Sequence, residues 1–202
     1  MKPGKCIECR DFPCSDIDKN GYIIPAVELD PEKVKVVMIS EAPPENPLDY
    51  FYASGDSFYL KTTLQAFNDA GISVSSIREI LDLRFYLTTA VKCTKTQYGI
   101  SAQTVKNCSE MLEKELALFP NIEVYMLMGD VAIKAFNYIS KMITGKNTIP
   151  SGSTYKLRKE QFFYNGKRVF PSYAQTGQNY LIEKSKRMMI AEDLAEAVKI
   201  IK

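Results

Sequence analysis

The chain has no histidine and no tryptophan among its 202 residues. The missing imidazole removes the usual general base near neutral pH and the usual stabiliser of a charged leaving group. No apolar run approaches the roughly 20 residues that span a bilayer, so no membrane partner is expected. The opening Met1-Lys2-Pro3-Gly4-Lys5-Cys6 lacks the apolar centre of a signal peptide, and a cytoplasmic location is expected. Charge of either sign is not in excess. A formal net charge of +2 neither requires nor excludes a nucleic-acid partner, so any basic surface is local. Hydrophobic content of 46% and charged content of 25% are ordinary for a globular protein with a real core.

What is present alternates in type. The run from Val34 to Ile39 is apolar and rich in β-branched residues, which reads as a buried strand. Ser40-Glu41-Ala42-Pro43-Pro44 ends it, because proline fixes φ and lacks a backbone donor. Further strands are expected at 85–91, 122–128 and 167–171. Helices are expected at 57–70, 77–83, 101–118, 131–143 and 183–201. Tyr22 to Val27 reads as a short edge strand. Between 145 and 165 the chain is mostly loop, with one hairpin drawn from Tyr155–Leu157 and Phe162–Tyr164 and turning at Asn165-Gly166. With no repeat and no linker, the expectation is one domain over 1–202. Its fold class is α/β, a three-layer sandwich with a central, mostly parallel four-stranded sheet flanked by helices. A monomer is expected.

In open α/β sheets, ligands bind beyond the carboxyl ends of the strands. The loop after Ser40 carries Glu45, Asn46, Asp49, Tyr50 and Phe51, and the loop after Pro171 carries Ser172 to Tyr180. Both are candidate site loops; an ordinary solvated strand exit is the plainer alternative for each.

The five cysteines are Cys6, Cys9, Cys14, Cys93 and Cys108. An odd count suits a disulfide framework poorly, and in a reducing compartment a Cys-x-x-Cys pair points to metal or redox chemistry. Two residues separate Cys6 from Cys9, and fourteen separate Cys93 from Cys108. Four such thiolates suit an iron–sulfur cluster or zinc.

This spacing, with the segments around it, resembles the iron–sulfur uracil-DNA glycosylases of the family-4 and family-5 types. Ser40-Glu41-Ala42-Pro43-Pro44 is similar to the family's Gly-Glu-Ala-Pro-Gly. Ser57-Phe58 resembles the Pro-Phe that supplies a ring to stack on the base. Tyr86 to Cys93 resembles Tyr-Ile-Thr-Asn-Val-Val-Lys-Cys. Asn107-Cys108 with Leu112, Glu115, Leu116 and Pro120 resembles the helix of the fourth ligand, and Leu127-Met128-Gly129 a Leu-Gly pattern before a helix. Val169 to Tyr173 precedes the place of the family's His-Pro-Ser.

The resemblance implies a protein acting on single- or double-stranded DNA, hydrolysing the N-glycosidic bond of uracil or another damaged base. It implies a 4Fe-4S cluster, with zinc as the alternative, on Cys6, Cys9, Cys93 and Cys108. Cys14 is either a free thiol or an alternative ligand. Glu41 and Ala42 would line the base pocket and Phe58 would stack on the base. Glu45 or Asp49 would position the water. Apart from the resemblance, the strand-exit rule turns Gln175, Gln178 and Tyr180 toward DNA, with Tyr180 as a groove-filling or intercalating ring, and Lys184, Lys186 and Arg187 at the start of the last helix would meet phosphates or form a solvated helix face.

The chain departs from the pattern at three places. Pro44 replaces the closing glycine, Thr89 the base-reading asparagine, and Ala174 the histidine. The departures leave two other readings open: a nucleic-acid-binding module without glycosylase activity, and a zinc-binding structural protein.

Overall fold

Val36–Ser40 (β2) and Phe85–Thr89 (β3) are buried at every position. Their apolar runs are therefore covered on both faces, as in the strands of a parallel sheet. In a computed structural model they pair in parallel, Val36 opposite Phe85 and Ser40 opposite Thr89. The model describes residues 1–202, apart from the side chains of Gln178 and Asn179. Val124–Met128 (β5) pairs in parallel with the other edge of β2, and Lys167–Ser172 (β7) continues the sheet beyond it. Phe162–Tyr164 (β6) is the antiparallel edge. The order β3-β2-β5-β7-β6 gives five strands where the pattern had suggested four.

The extra strand comes from the turn. Asn165 and Gly166 take φ of 49° and 77°, the pair of positive values a tight two-residue hairpin needs, so β6 folds directly onto β7. Tyr155 to Leu157, expected as a hairpin arm, lies instead in the short helix Thr154–Leu157 (α5).

Alternation within each strand divides the core. Val37, Ile39, Tyr86 and Leu127 face Ala102–Leu116 (α3) and Asp130–Thr144 (α4), whose Val105, Leu112, Ala135 and Phe136 pack against them. Val36, Met38, Leu87 and Met126 face the opposite helices: Phe58–Asp69 (α1), Ile77–Asp82 (α2) and Lys184–Ile200 (α7). Gln178–Ile182 (α6) lies in the connection from β7 to α7. The result is helices, sheet, helices, as expected for this class.

The first 35 residues carry little regular structure. Ile17–Asp18 (β1) pairs with Thr94–Lys95 (β4), just after Cys93. The edge strand expected at Tyr22 to Val27 does not form. The docking is tight: a Cβ on Gly4 would stand 2.6 Å from the Ile24 carbonyl oxygen, and one on Gly21 2.1 Å from Thr94 Oγ1. Glycine lets this segment lie against β4 and its own return path.

Candidate active site and cysteine cavity

Parallel strands leave their exit loops on one edge of the sheet. The loops after β2, β5 and β7 meet there around a cavity of about 700 Å³. Glu41, Ala42 and Pro43 line it from the β2 exit, Gly129 and Asp130 from the β5 exit, and Tyr173, Ala174, Thr176 and Gly177 from the β7 exit. That size falls within the range of small-ligand pockets. A larger cavity of about 840 Å³ lies among Glu123, Lys167, Arg168 and Glu196, at the amino-terminal ends of β5 and β7. The strand-exit rule selects the first of the two.

The cavity is walled by tyrosines and charged pairs. Tyr59, Tyr98, Tyr173 and Tyr180 all line it. Tyr59 comes from α1 and donates its hydroxyl to the Ala42 carbonyl at 3.3 Å, joining that helix to the β2 exit. Burial, with the charges of Glu41 and Asp49 nearby, pushes its phenol up to about 12, so it is a hydrogen-bond donor at neutral pH. Lys95 Nζ pairs with Glu41 Oε1 at 2.8 Å, and Lys186 Nζ with Glu183 Oε2 at 2.6 Å. Gly129 holds φ at 104° where β5 turns into α4, and its N–H donates to the Ser172 carbonyl at 3.0 Å, tying two exits together.

The residues expected at the site divide. Glu41, Ala42, Ala174 and Tyr180 line the cavity. Thr89 and Gln175 are fully buried behind it, and Gln175 accepts from Ser40 Oγ at 3.2 Å. Phe58 is half-buried and is not among the lining residues; its neighbour Tyr59 is. Asp49 accepts from the Phe58 N–H at 3.2 Å at the start of α1, and Glu45 is exposed. Tyr180, expected as an intercalating ring, is 3% exposed, and its hydroxyl donates to Asp69 at 3.3 Å. Arg187 is committed to the same carboxylate at 2.8 Å. Lys184 is exposed. The Gln178 side chain lies outside the described residues.

Sequence reading missed Tyr59, Lys95 and Asp130 as lining residues. Gly129-Asp130 at a strand-to-helix turn was the one available signal. Lys95 and Tyr59 arrive through tertiary packing. Beside Tyr180, Leu181 and Ile182 are 52% and 76% exposed on α6, an apolar step next to the cavity.

A second cavity, also about 700 Å³, gathers all five cysteines with Tyr22, Lys92 and Asn107. Cys93 and Cys108 are buried, Cys9 and Cys14 half-buried, and Cys6 exposed. Burial and the neighbouring thiols raise Cys93 to about 12 and Cys108 to about 11. Asn107 Nδ2 approaches Cys14 Sγ at 3.6 Å. Among the described residues no three Cys, Asp or Glu side chains are gathered closely enough to hold a single metal ion. Soft thiols around one cavity, on three separate segments, are a donor set suited to an iron–sulfur cluster, which needs its thiolates spread more widely than a lone tetrahedral zinc does.

Lys92, which lines the cysteine cavity, belongs to a buried ion pair. Lys92 Nζ meets Glu115 and also donates to Thr88 Oγ1 at 2.9 Å, while Tyr86 and Thr88 donate to Glu115 Oε1 at 2.7 and 2.8 Å. The last turn of β3, the α3 helix and the Cys93 segment are thus fixed to one another.

The fold thus carries a polar cavity across its parallel strand exits and a separate thiol-lined cavity. The chain belongs to the uracil-DNA glycosylase superfamily, whose sequence model matches residues 27–197. It is 28% identical over 122 residues to the Type-5 uracil-DNA glycosylase of Thermus thermophilus. That match takes in 59% of this chain and 53% of the relative, so the chain spans about half the length of the curated protein it matches. Cys6, Cys9 and Cys14 precede the family match.

Proposed function

We propose that the chain acts on DNA, hydrolysing the N-glycosidic bond of uracil or another damaged base extruded into the cavity at the strand exits. The observation that carries this reading is that cavity, built from the β2, β5 and β7 exits within a chain matched to the superfamily along most of its length. A base within a duplex cannot be reached, so it must leave the stack. Leu181 and Ile182, which are exposed where Tyr180 is buried, are proposed to fill the gap it leaves.

In the reaction the C1′–N bond breaks and its electron pair stays with the base. Water adds to C1′, and its proton passes to a carboxylate. Asp49 or Glu45 is the acid proposed to orient that water, with Glu41 in the cavity wall as a further candidate. The departing anion needs donors. In place of imidazole, Lys95 and Lys186, each paired with a carboxylate in the free protein, are the side chains proposed to supply them. Ring stacking falls to Phe58 or to Tyr59, of which Tyr59 has the cavity contact.

Cys6, Cys9, Cys93 and Cys108 are proposed to hold a 4Fe-4S cluster, with Cys14 outside it. When bound, the cluster supplies a cross-link between the N-terminal segment, the end of β3 and α3. Those residues carry no part of the hydrolysis.

The test is release of free base from single- and double-stranded oligonucleotides containing uracil, hypoxanthine or xanthine. Release is expected from at least one. Retained DNA binding without any release would favour the binding-module reading, to which Ala174 and Thr89 lend weight, because the first has no polar side-chain group and the second offers one hydroxyl where an asparagine would offer an amide.

A further inference from the structure

Two lysines stand in the wall of the strand-exit cavity, and each meets a carboxylate. They are held differently. Lys186 pairs with Glu183 at 2.6 Å, three residues away at the start of α7, and its ammonium lies 5.4 Å from the centroid of the Tyr173 ring. That contact needs only one turn of helix. Lys95 and Glu41 are 54 positions apart in sequence, the first on β4 and the second at the β2 exit, so the fold itself makes their 2.8 Å contact. Lys95 Nζ also donates to the Tyr98 carbonyl at 3.3 Å, which holds it from a second side. The two side chains keep 37% and 35% of their surface open, so a ligand in the cavity can reach both.

A primary amine in contact with a carboxylate is the pair of groups that cleavage of an abasic strand requires. Hydrolysis of an N-glycosidic bond leaves a sugar whose ring opens to an aldehyde at C1′. An amine adds to that carbon, and a base removes a proton from C2′, the carbon next to it. Two groups already in contact suit two adjacent carbons. A lysine is a nucleophile toward a carbonyl once it has lost its proton. The departing base anion accepts that proton from Lys95, which leaves a neutral amine beside the new aldehyde.

We infer that Lys95 and Glu41 give the chain a second activity, β-elimination at the abasic site that base release produces. It rests on the glycosylase reading for the supply of that substrate. The Lys95 amine adds to C1′, water leaves, and a C1′=Nζ iminium forms. Glu41 takes the C2′ proton, and the electron pair of that bond moves toward the iminium. The pair then expels the 3′ phosphate as the C3′–O bond breaks. Water hydrolyses the imine, which frees Lys95 and leaves an unsaturated aldehyde on the 3′ end of one fragment. The water lost in forming the imine is regained in its hydrolysis, and nothing is oxidised or reduced.

The test starts from an oligonucleotide that already carries an abasic site, so it does not depend on base release. Sodium borohydride reduces the iminium to a stable amine and fixes protein to DNA. The parent is expected to give this cross-link, with the DNA remnant mapped to Lys95 by mass spectrometry. Without borohydride the strand should be cut on the 3′ side of the abasic site. Lys95→Arg keeps the positive charge but cannot form an imine, so it should lose the cross-link while still binding the strand. Glu41→Gln should still cross-link but cut on the order of 10²-fold more slowly, the loss of a general base. The mapping is made on the parent, so it decides the matter even where a variant folds poorly. No cross-link from the parent overturns the inference, as does a cross-link mapped to Lys186 or to the Met1 amine. A well-folded Lys95→Arg that cross-links as the parent does, or a Glu41→Gln that cuts as fast, overturns it too. Base released from uracil-containing strands with no cross-link would leave the glycosylase reading standing alone. A Lys95 cross-link with no base released from any strand would overturn the glycosylase reading and keep the elimination.

Discussion

Ala174 puts a methyl group at the wall of a polar cavity, within van der Waals reach of Gly129: a Cβ built there would stand 3.6 Å from its own. The cavity has room for a larger side chain on that wall. Removing one preorganised donor from an enzyme site typically costs on the order of 10²–10³ in rate. Uracil release by the parent is therefore expected to be slow, and Ala174→His, alone or with Thr89→Asn, to raise it, measured as single-turnover rates on uracil-containing strands. No gain in a well-folded double variant would place the donors elsewhere in the cavity. Lys92 makes a different kind of prediction. It and Glu115 are both essentially inaccessible, and removing one member of a buried pair leaves the other charge uncompensated, at a cost of about 3–5 kcal/mol. Lys92→Met should lose stability by that amount in urea titration. Lys92→Met with Glu115→Leu should recover much of the loss, because no lone charge remains.

The elements around Asp69 form a unit: its carboxylate, at the end of α1, accepts from Gln65 within the helix, from Tyr180 on α6 and from Arg187 on α7. Burial opposes the charged form, but the hydrogen bonds from Arg187 and Gln65 and the charge of Arg187 outweigh it, so the group lies below its ordinary 3.8. A depressed carboxylate stabilises the fold above its unfolded value and loses that contribution as pH falls through the folded one. The attachment of α6 and α7 should thus weaken as pH drops below about 4, where the unfolded-state carboxyl begins to bind protons. Asp69→Asn should cost about 1 kcal/mol at pH 7 and flatten the acid limb of a Tm-against-pH curve. This unit was invisible in the sequence, where Tyr180 and Arg187 read as DNA-facing; a three-way contact across distant segments has no local signature. The strands and major helices were legible because their periodicities differ and because Ser57, Ser76 and Ser101 mark helix starts with side-chain caps. The N-terminal segment was not legible, since it has no period and is shaped by glycine contacts with the Cys93 region.

On the scale of the whole molecule, the sheet and its helices form an ordinary three-layer core, while residues 1–35 have three short 3₁₀ turns and one two-residue strand. Ile7 and Ile24 pack with Met111 in a small satellite cluster, and Met1, Ile17, Ile23, Val27 and Leu29 reach the main core only as partly buried side chains. Something more is needed to hold the segment, and the thiol cavity lies at its junction with β3 and α3. A cross-link closing a loop on the order of 80 residues contributes roughly 4–5 kcal/mol. For a chain of this size, that is worth roughly 10 °C or more in Tm. Anaerobically purified protein is accordingly expected to contain iron and acid-labile sulfide with visible absorbance. Serine at Cys6, Cys9, Cys93 or Cys108 should lower the iron content and the Tm together, and open residues 1–35 to proteolysis while the sheet persists by far-UV circular dichroism. Cys14→Ser should leave iron content unchanged. Iron lost with Cys14→Ser but kept with Cys6→Ser would move the fourth ligand to Cys14, whose sulfur lies 3.6 Å from Asn107 Nδ2 and which is less exposed than Cys6. Zinc alone in native, anaerobically prepared protein would contradict the cluster. The cross-link itself would remain with zinc, because either metal closes the same loop; the two are told apart by absorbance and metal analysis, and the stapling role by whether chelation frees the N-terminal segment before the core unfolds.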